Sequence, residues 1–178
     1  MIRSWGVLTL TASSQPWFGD VTTAAVGLPD SFGKISVTVA STARYQAGDR
    51  ILVGPQTATQ DVVKVDSIAS STVLNCQSEG NAKTHTHVTN TQIMLDIACA
   101  EIIITNLASD QPVWLGSDNT VTNTGGGSGF YPIEPVTGTN QPNSFRVSNS
   151  VNSDAIRTSE GWIVGTNGRT YSAAAIVV

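Results

Sequence analysis

The two histidines of the chain, His85 and His87, have the spacing that best suits a metal site. They stand in the segment THTHV, and because side chains alternate along an extended backbone, both imidazoles point to one face. Three such pairs around a threefold axis would offer six imidazoles to one ion. No third ligand and no supporting carboxylate lies nearby in the chain. The sequence therefore favours exposed or turn-bonded imidazoles, and we predict no metal and no other cofactor.

The acidic residues do not form the pattern of a hydrolase active site. Such a site needs two carboxylates across a cleft or a nucleophile with an oriented base. Most acids stand next to turns, where Asp is favoured for conformational reasons. Examples are Asp20, Asp49, Asp66, Asp96, Asp118, Glu134 and Glu160. With only two adjacent histidines, a Ser/His/Asp set lacks support. We therefore predict a protein that is not an enzyme.

Two further groups of residues have a reactive or ligand-binding interpretation. Cys76 and Cys99 stand in separate apolar contexts without CxxC or zinc spacing, which predicts two buried thiols, with a single disulfide as the alternative. The glycine-rich stretch at residues 125–129 lacks the GxxxxGK and GxGxxG patterns of a phosphate cradle. It predicts a loop that either meets a neighbouring subunit or serves as an exposed connector.

The large aromatic side chains offer binding chemistry. Tryptophan and tyrosine combine a wide apolar ring with one polar atom, which suits protein interfaces and sugar stacking. One alternative to an interface is packing in the core, which suits rings within apolar strands. Another is a sugar-stacking platform formed by Trp5, Trp17, Trp114, Tyr131 and Trp162. The residues that we predict to contact a partner protein are Trp5, Trp17, Phe18, Trp114 and Tyr131.

The composition excludes several classes of partner. The chain has 178 residues, of which 12% are charged, with 9 Lys and Arg against 13 Asp and Glu. Because no basic cluster is present, we expect no nucleic-acid partner. The start lacks the pattern of a secretory signal, and no apolar run approaches the length of a membrane span. We therefore expect a soluble protein, made in a cytoplasm, with no membrane partner.

The elements that must position these residues are β-strands, because period-2 patterns recur from end to end and no window shows a convincing amphipathic helix. Residues 1–33, a strand followed by a Pro/Gly-punctuated segment, predict an extended N-terminal arm. Because it carries large aromatic rings, we expect the arm to dock on its own domain or on a neighbouring subunit. Residues 34–95 predict a small antiparallel β-barrel module with a turn at Gly48-Asp49. Residues 96–178 predict a jelly-roll-like β-sandwich, in which the apolar segment AEIIITNL is a central strand or is buried on both faces. The predicted fold class is all-β.

Two segments resemble structural modules of tailed-bacteriophage virions. From Ser36 to Leu95 the similarity is to a module with a valine-rich strand, an aromatic residue before Gly-Asp, and alternating valines. Its positions are filled by Tyr45, Gly48, Asp49, Gln60, Val63, Val65, Thr72, Leu74 and His85 or His87. The segment IIITNLASDQPVWLGSDNTVTNTGG is similar to a signature of virion β-domains. Its positions are filled by Asn106, Trp114 to Gly116, Asn119 and Val121.

The resemblance implies a part of the virion: a head decoration or cement protein, an adaptor, or a tail or fibre component. A chain of this size with one barrel, one sandwich and an arm is small for a receptor-binding fibre and suits a clamp over a shell. We therefore expect a capsid decoration protein, assembled in the host cytoplasm as a homotrimer, that binds adjacent subunits of the major capsid protein through residues 1–33. The alternative is a tail or fibre component, or a carbohydrate-binding receptor module.

Overall fold

The computed structural model of the protein is an assembly of β-strands and describes residues 1–27, 32–79, 85–124, 131–135, 143–148 and 155–178. The predicted all-β class is confirmed, because the one helical element among these residues is the short 3₁₀ turn Thr158–Glu160. None of the described residues forms a helix with the length and apolarity that a membrane crossing requires. The glycine-rich loop predicted at residues 125–129 lies outside the described residues.

The strands belong to two compact units. The first unit comprises Met1–Phe18 and Ala98–Val178, and the second comprises Gly19–Ile97. Residues 1–33, predicted as one arm, are therefore divided between the two units. In chain order the strands are β1 (Ile2–Thr9), β2 (Gln15–Pro16), β3 (Gly19–Val21), β4 (Val26–Gly27), β5 (Lys34–Thr38), β6 (Arg50–Val53), β7 (Asp61–Ile68), β8 (Val73–Ser78), β9 (Thr86–His87), β10 (Gln92–Leu95), β11 (Ala98–Asn106), β12 (Val113–Gly116), β13 (Tyr131–Ile133), β14 (Ser144–Ser148), β15 (Ile156–Arg157), β16 (Trp162–Val164) and β17 (Thr170–Val177).

The first unit contains two antiparallel sheets. One has the order β1-β17-β11-β14, with β15 also paired to β11, and the other has the order β13-β12-β16-β2. Polar side chains join the two sheets: the Asn106 amide on β11 donates to the Ile133 carbonyl on β13 at 2.9 Å, and the Tyr171 hydroxyl on β17 donates to the Trp17 carbonyl at 3.2 Å. The core side chains of this unit include Trp5, Leu8, Leu10, Ile102, Ile104, Val113, Leu115, Ile133, Trp162, Val164 and Tyr171.

The N-terminal segment is part of this first unit up to Phe18. β1 pairs with β17 from Ile2 to Thr9, with a bulge between Ser4 and Gly6. The rings of Trp5 and Phe18 are both buried and pack edge to face, with their centroids 5.8 Å apart. Burial of such large rings is strongly favourable, so residues 1–18 join the core and do not extend as an arm.

The apolar strand β11 is central in its sheet, between β17 and β14. Its burial nevertheless alternates: Ile102 and Ile104 are fully buried, whereas Ile103 is only half-buried. The strand is therefore covered on one face by the first unit's own core, and the opposite face of the sheet remains open.

The second unit is built on one six-stranded sheet with the order β3-β10-β6-β7-β8-β5, together with the short β4-β9 pair. The sheet curls, because its two edge strands approach each other through a bridge between Thr22 and Val39 and a backbone hydrogen bond from Thr23 to Thr38 of 2.9 Å. The fully buried residues inside the curl include Val37, Val39, Ile51, Val53, Val63, Val65, Leu74 and Ile93.

The turn before β6 has the conformation that its residues predict. Gly48 has φ of +93°, a conformation that glycine adopts without steric cost. The Asp49 carboxylate accepts a hydrogen bond from the Gln46 backbone amide at 2.8 Å, so the side chain closes the turn from within. The Gly48 amide also donates to the Val65 carbonyl at 2.7 Å, which fixes the entry into β6 against β7.

Candidate functional site

The two histidines meet a buried carboxylate in the second unit. His87 Nε2 lies 2.8 Å from Asp61 Oδ2, and His85 Nδ1 lies 3.1 Å from both carboxylate oxygens. Because a carboxylate accepts hydrogen bonds and does not donate them, each imidazole donates its N–H to Asp61. Asp61 and His87 are both buried. The cluster therefore joins the segment that carries β9 to the first residue of β7.

This cluster does not have the arrangement of a metal centre. Within the described residues, no group of three or more His, Cys, Asp or Glu side chains is placed to hold an ion. The shared carboxylate is the part that sequence analysis missed, because Asp61 is 24 residues from His85 in the chain. The two imidazoles and the carboxylate hydrogen-bond to one another, as in a polar network that specifies local structure.

Replacing Asp61 with alanine is expected to lower the free energy of unfolding by about 2 kcal/mol, because the buried His87 ring loses its acceptor. Asp61→Asn keeps one acceptor oxygen and should lose less. Urea denaturation measures both changes. The matched control is Asp66→Ala, an exposed acid on the same strand, which we expect to stay within about 0.5 kcal/mol of the unsubstituted chain. Equal stability of Asp61→Ala and Asp66→Ala would contradict the assigned role of the cluster.

Other acids in the second unit have structural partners. Asp96 is buried and pairs with the Arg50 guanidinium, which also contacts Glu79 with Nε and Oε2 3.0 Å apart. The Tyr45 hydroxyl donates to Asp20 at 3.4 Å. Burial, the largest cause, raises the pKa of Asp20 above its usual value and raises the pKa of Tyr45 well above its own. The Tyr45 phenol therefore keeps its proton near neutral pH and acts as a donor.

The two cysteines are free, buried thiols, as predicted. Burial raises the pKa of Cys76 to about 12, with a further increase from the Asp66 carboxylate. Burial also raises the pKa of Cys99 to about 11, where Glu160 adds to the increase and Arg157 opposes it. Because the thiolate is the reactive form, neither cysteine is an effective nucleophile at neutral pH.

An aromatic pocket in the first unit is a candidate binding site. It has a volume of about 190 Å³. The Phe145 ring on β14 lies edge-on to Trp17, with centroids 6.1 Å apart, and Tyr131 on β13 tilts onto Phe145 at 5.0 Å. The three rings grade from buried to exposed, since Trp17 is 7% exposed and Tyr131 is 55% exposed. The remaining lining residues are Leu115, Gly116, Ser117 and Glu160.

Trp17 is held in this position by the backbone of Gly161 and of Trp162, the first residue of β16. Its indole Nε1 donates to the Trp162 carbonyl at 2.6 Å, and its backbone amide donates to the Gly161 carbonyl at 3.1 Å. A Cβ atom at Gly161 would overlap the indole ring, so the ring lies directly on the glycine backbone. The absence of a side chain at this position therefore allows the buried side of the pocket to form.

The structure brings together two of the five residues predicted to bind a partner. Trp17 and Tyr131 both line the pocket. Trp5 and Phe18 are buried in the core of the same unit, and Trp114 lies half-buried on β12 between β13 and β16. Partner binding by these residues stays a prediction.

The pocket residues that sequence analysis missed are Phe145, Glu160, Leu115 and Ser117. Phe145 stands in a short alternating segment, SFRVS, which predicts a strand but not the partner of its ring. Glu160 follows a polar turn and has no local signal of binding. Only the pairing of β14 with β11 and of β12 with β13 places these side chains beside Trp17.

The open face of the first unit's β1-β17-β11-β14 sheet is a second candidate surface, which we call the outer face. It presents Ile2 and Val7, which are 73% and 60% exposed. In register with them are the half-buried Ile176, paired with Ile2, and Ala174, paired with Ile103. Most other residues of the face are small or carry hydroxyl groups, namely Ser4, Thr105, Ser144 and Ser172.

The charges on the outer face include one ion pair, in which Arg146 Nη1 lies 3.1 Å from Glu101 Oε1. Ile103, an interior residue of a central strand, lies directly opposite Arg146 in the register. Contiguous exposed apolar patches often mark interaction sites, whereas single exposed apolar residues are normal. The outer face is therefore a candidate surface for contact with another molecule.

A search for similar proteins found no matching family model, no matching curated protein and no matching solved structure.

Proposed function

We propose that the protein is a structural virion protein that decorates and stabilises a bacteriophage capsid, and that its outer face binds adjacent subunits of the major capsid protein. The observation that carries the proposal is the exposure of Ile2 and Val7 on the same sheet face as the half-buried Ile103. Apolar side chains grouped on one exposed face favour an interface with another protein. The resemblance of the sequence to virion modules supplies the class of partner.

The finer features of this proposal concern architecture and assembly. We propose that the curled sheet of the second unit is a small β-barrel module and that the two sheets of the first unit form a jelly-roll-like sandwich. The protein is proposed to act as a homotrimer on the capsid surface without catalytic activity. A protein that binds only the assembled shell shifts the assembly equilibrium toward it by mass action, so many modest contacts suffice.

The docking element in this proposal is the outer face and not the whole of residues 1–33. Deleting that segment would remove β1 and the buried ring of Trp5, and loss of capsid binding would then report unfolding. Substitution of exposed side chains avoids this difficulty. We therefore choose the double variant Ile2→Lys with Val7→Lys, since both side chains are exposed and new charges oppose burial at an interface.

The test is co-sedimentation of the purified protein with empty capsid shells of a virion that contains it. The unsubstituted protein should bind and raise the melting temperature of the shells. The double variant should bind at least about tenfold more weakly, because two charges must be desolvated. Val88→Lys is the matched control, since Val88 is also exposed but lies in the second unit. Circular dichroism confirms that each variant is folded.

Two results would overturn the proposal. One is failure of the folded, unsubstituted protein to bind shells at any concentration tested. The other is unchanged shell binding by the double variant, which would remove the outer face from the interface.

The second candidate function is a tail or fibre component, or a carbohydrate-binding receptor module. The observation that favours it is the aromatic pocket, in which Tyr131 presents a half-exposed ring beside Phe145. Aromatic rings with a few polar groups are common in small-molecule sites. Binding to isolated glycans without shell binding would support this candidate over capsid decoration.

A further inference from the structure

The aromatic pocket, lined by residues of β12, β13 and β14, is small enough to accept only one ring. Its volume of about 190 Å³ is below the roughly 300–1,000 Å³ of sites for drug-sized ligands. The Phe145 ring contacts Tyr131 and Trp17 at centroid distances of 5.0 and 6.1 Å, within the range of direct aromatic contact. They therefore form a continuous apolar surface and do not enclose a cage for a quaternary cation.

The polar groups of the pocket indicate what the ligand must carry. Glu160, whose side chain ends in a carboxylate, and Ser117, which carries a hydroxyl group, are among the lining residues. A carboxylate accepts hydrogen bonds only, so a ligand that displaces its water must supply donors. A purely aliphatic side chain from a partner would desolvate Glu160 without replacing those hydrogen bonds. The ligand should therefore combine an apolar face with hydroxyl donors at its edge.

A pyranose has this combination. The C–H bonds on one face of the sugar carry partial positive charge and pack against the negative face of an aromatic ring. Its equatorial hydroxyl groups donate in the plane of the ring, where a carboxylate forms strong, charge-assisted hydrogen bonds. Acidic sugars are disfavoured, because Glu160 is negative and the chain has a net charge of -4.

We propose that this pocket binds a neutral hexopyranose unit of a glycan, with the Tyr131 ring as the stacking surface and Glu160 as the acceptor for the sugar hydroxyl groups. The proposal is independent of the capsid-binding role, because the pocket and the outer face use different side chains. A glycan on a host surface and a glycan in solution present the same sugar chemistry to the pocket.

The experiment is saturation-transfer NMR and calorimetric titration of the full chain with methyl glucopyranoside, methyl galactopyranoside and N-acetylglucosamine. At least one of these sugars should bind with a Kd on the order of 1 mM, as expected for a single ring in a shallow site. Tyr131→Ala and Glu160→Gln should each weaken binding by about tenfold. Tyr131→Phe should bind within about threefold of the unsubstituted chain, because it keeps the ring face.

The matched control is Phe32→Ala, which removes an exposed aromatic ring from the second unit and should leave sugar binding unchanged. Tyr131 and Glu160 are both exposed, and thermal melting checks that their variants remain folded. Absence of binding by all three sugars at tens of millimolar would overturn the proposal, as would tighter binding of glucuronic acid or of a lysine-containing peptide. Loss of sugar binding by Tyr131→Ala with intact shell binding supports the pocket while leaving the capsid test unaffected.

Discussion

Gly161→Ala is expected to lower the free energy of unfolding by about 3 kcal/mol, at the upper end of the usual cost of overpacking a core. The new methyl group would overlap the Trp17 indole ring. That ring is held by the hydrogen bond to the Trp162 carbonyl and by contact with Phe145, so it has little room to move. Thermal unfolding followed by circular dichroism should show a midpoint several degrees lower.

A control and a double-mutant cycle identify the cause of this loss. Gly27→Ala should change stability by less than about 0.5 kcal/mol, because no atom lies within 4 Å of its added Cβ. In a Trp17→Leu background, Gly161→Ala should cost much less than in the unsubstituted chain, since the smaller side chain removes the overlap. Equal costs in the two backgrounds would show that the indole is not the obstacle.

Asn106→Asp is expected to destabilise the first unit by at least about 3 kcal/mol, because it buries a charge whose second oxygen faces carbonyl groups and has no donor among the partners of Asn106. The Asn106 amide donates to three backbone carbonyls, those of Gln111, Ile133 and Glu134, at 3.0, 2.9 and 3.2 Å. Its oxygen accepts from the Ala108 amide at 2.9 Å. A carboxylate of the same shape would turn an acceptor toward these carbonyls in a fully buried site.

The loss should depend on pH in a defined direction. Burial and the facing carbonyl oxygens favour the neutral acid, so the pKa of the new carboxyl group should be higher in the folded state than its unfolded value of about 3.9. The loss in free energy of unfolding of Asn106→Asp, relative to the unsubstituted chain, should be smallest below about pH 4. It should grow as the pH rises through the folded-state pKa. Urea denaturation at several pH values measures it.

The control for this series is Asn75→Asp, which alters an exposed asparagine with a side-chain hydrogen bond to Ser67. Its stability should stay within about 0.5 kcal/mol of the unsubstituted chain over the same pH range. A deficit of Asn106→Asp that does not change between pH 4 and pH 8 would contradict the assigned environment.

Features that depend on a few neighbouring residues could be predicted. The positive φ of Gly48 followed from the Gly-Asp pair in a turn, and β7 followed from the alternation of Val63 and Val65 with polar residues. The central position of β11, one of the two predicted outcomes, followed from its mostly apolar sequence. Each of these features has a local cause that acts over fewer than about ten residues. The causes are a backbone preference for the turn, the side-chain period of two for β7, and the need to bury apolar surface for β11.

Local patterns were less informative where the strands depart from regularity. Ile68 is an apolar residue at the end of β7, yet it is 42% exposed. The register of β7 against β8 shifts between Val65 and Ser67, and a bulge of this kind changes which face later side chains occupy. Because apolar and polar residues alternate on both sides of the bulge, the sequence alone does not indicate where the register of β7 shifts.

The sequence by itself determined the all-β class, the burial of both cysteines and the turn at Gly48-Asp49. Only the tertiary structure decided that residues 1–18 join the first unit, that Asp61 serves both histidines, and that Phe145 and Glu160 complete a pocket with Trp17. These contacts join residues that are distant in the chain, and strand pairing and core packing select them from many combinations of similar local energy. The strand propensity of a segment depends on its own residues. Which residues it contacts depends on the pairing and packing of all strands in the fold.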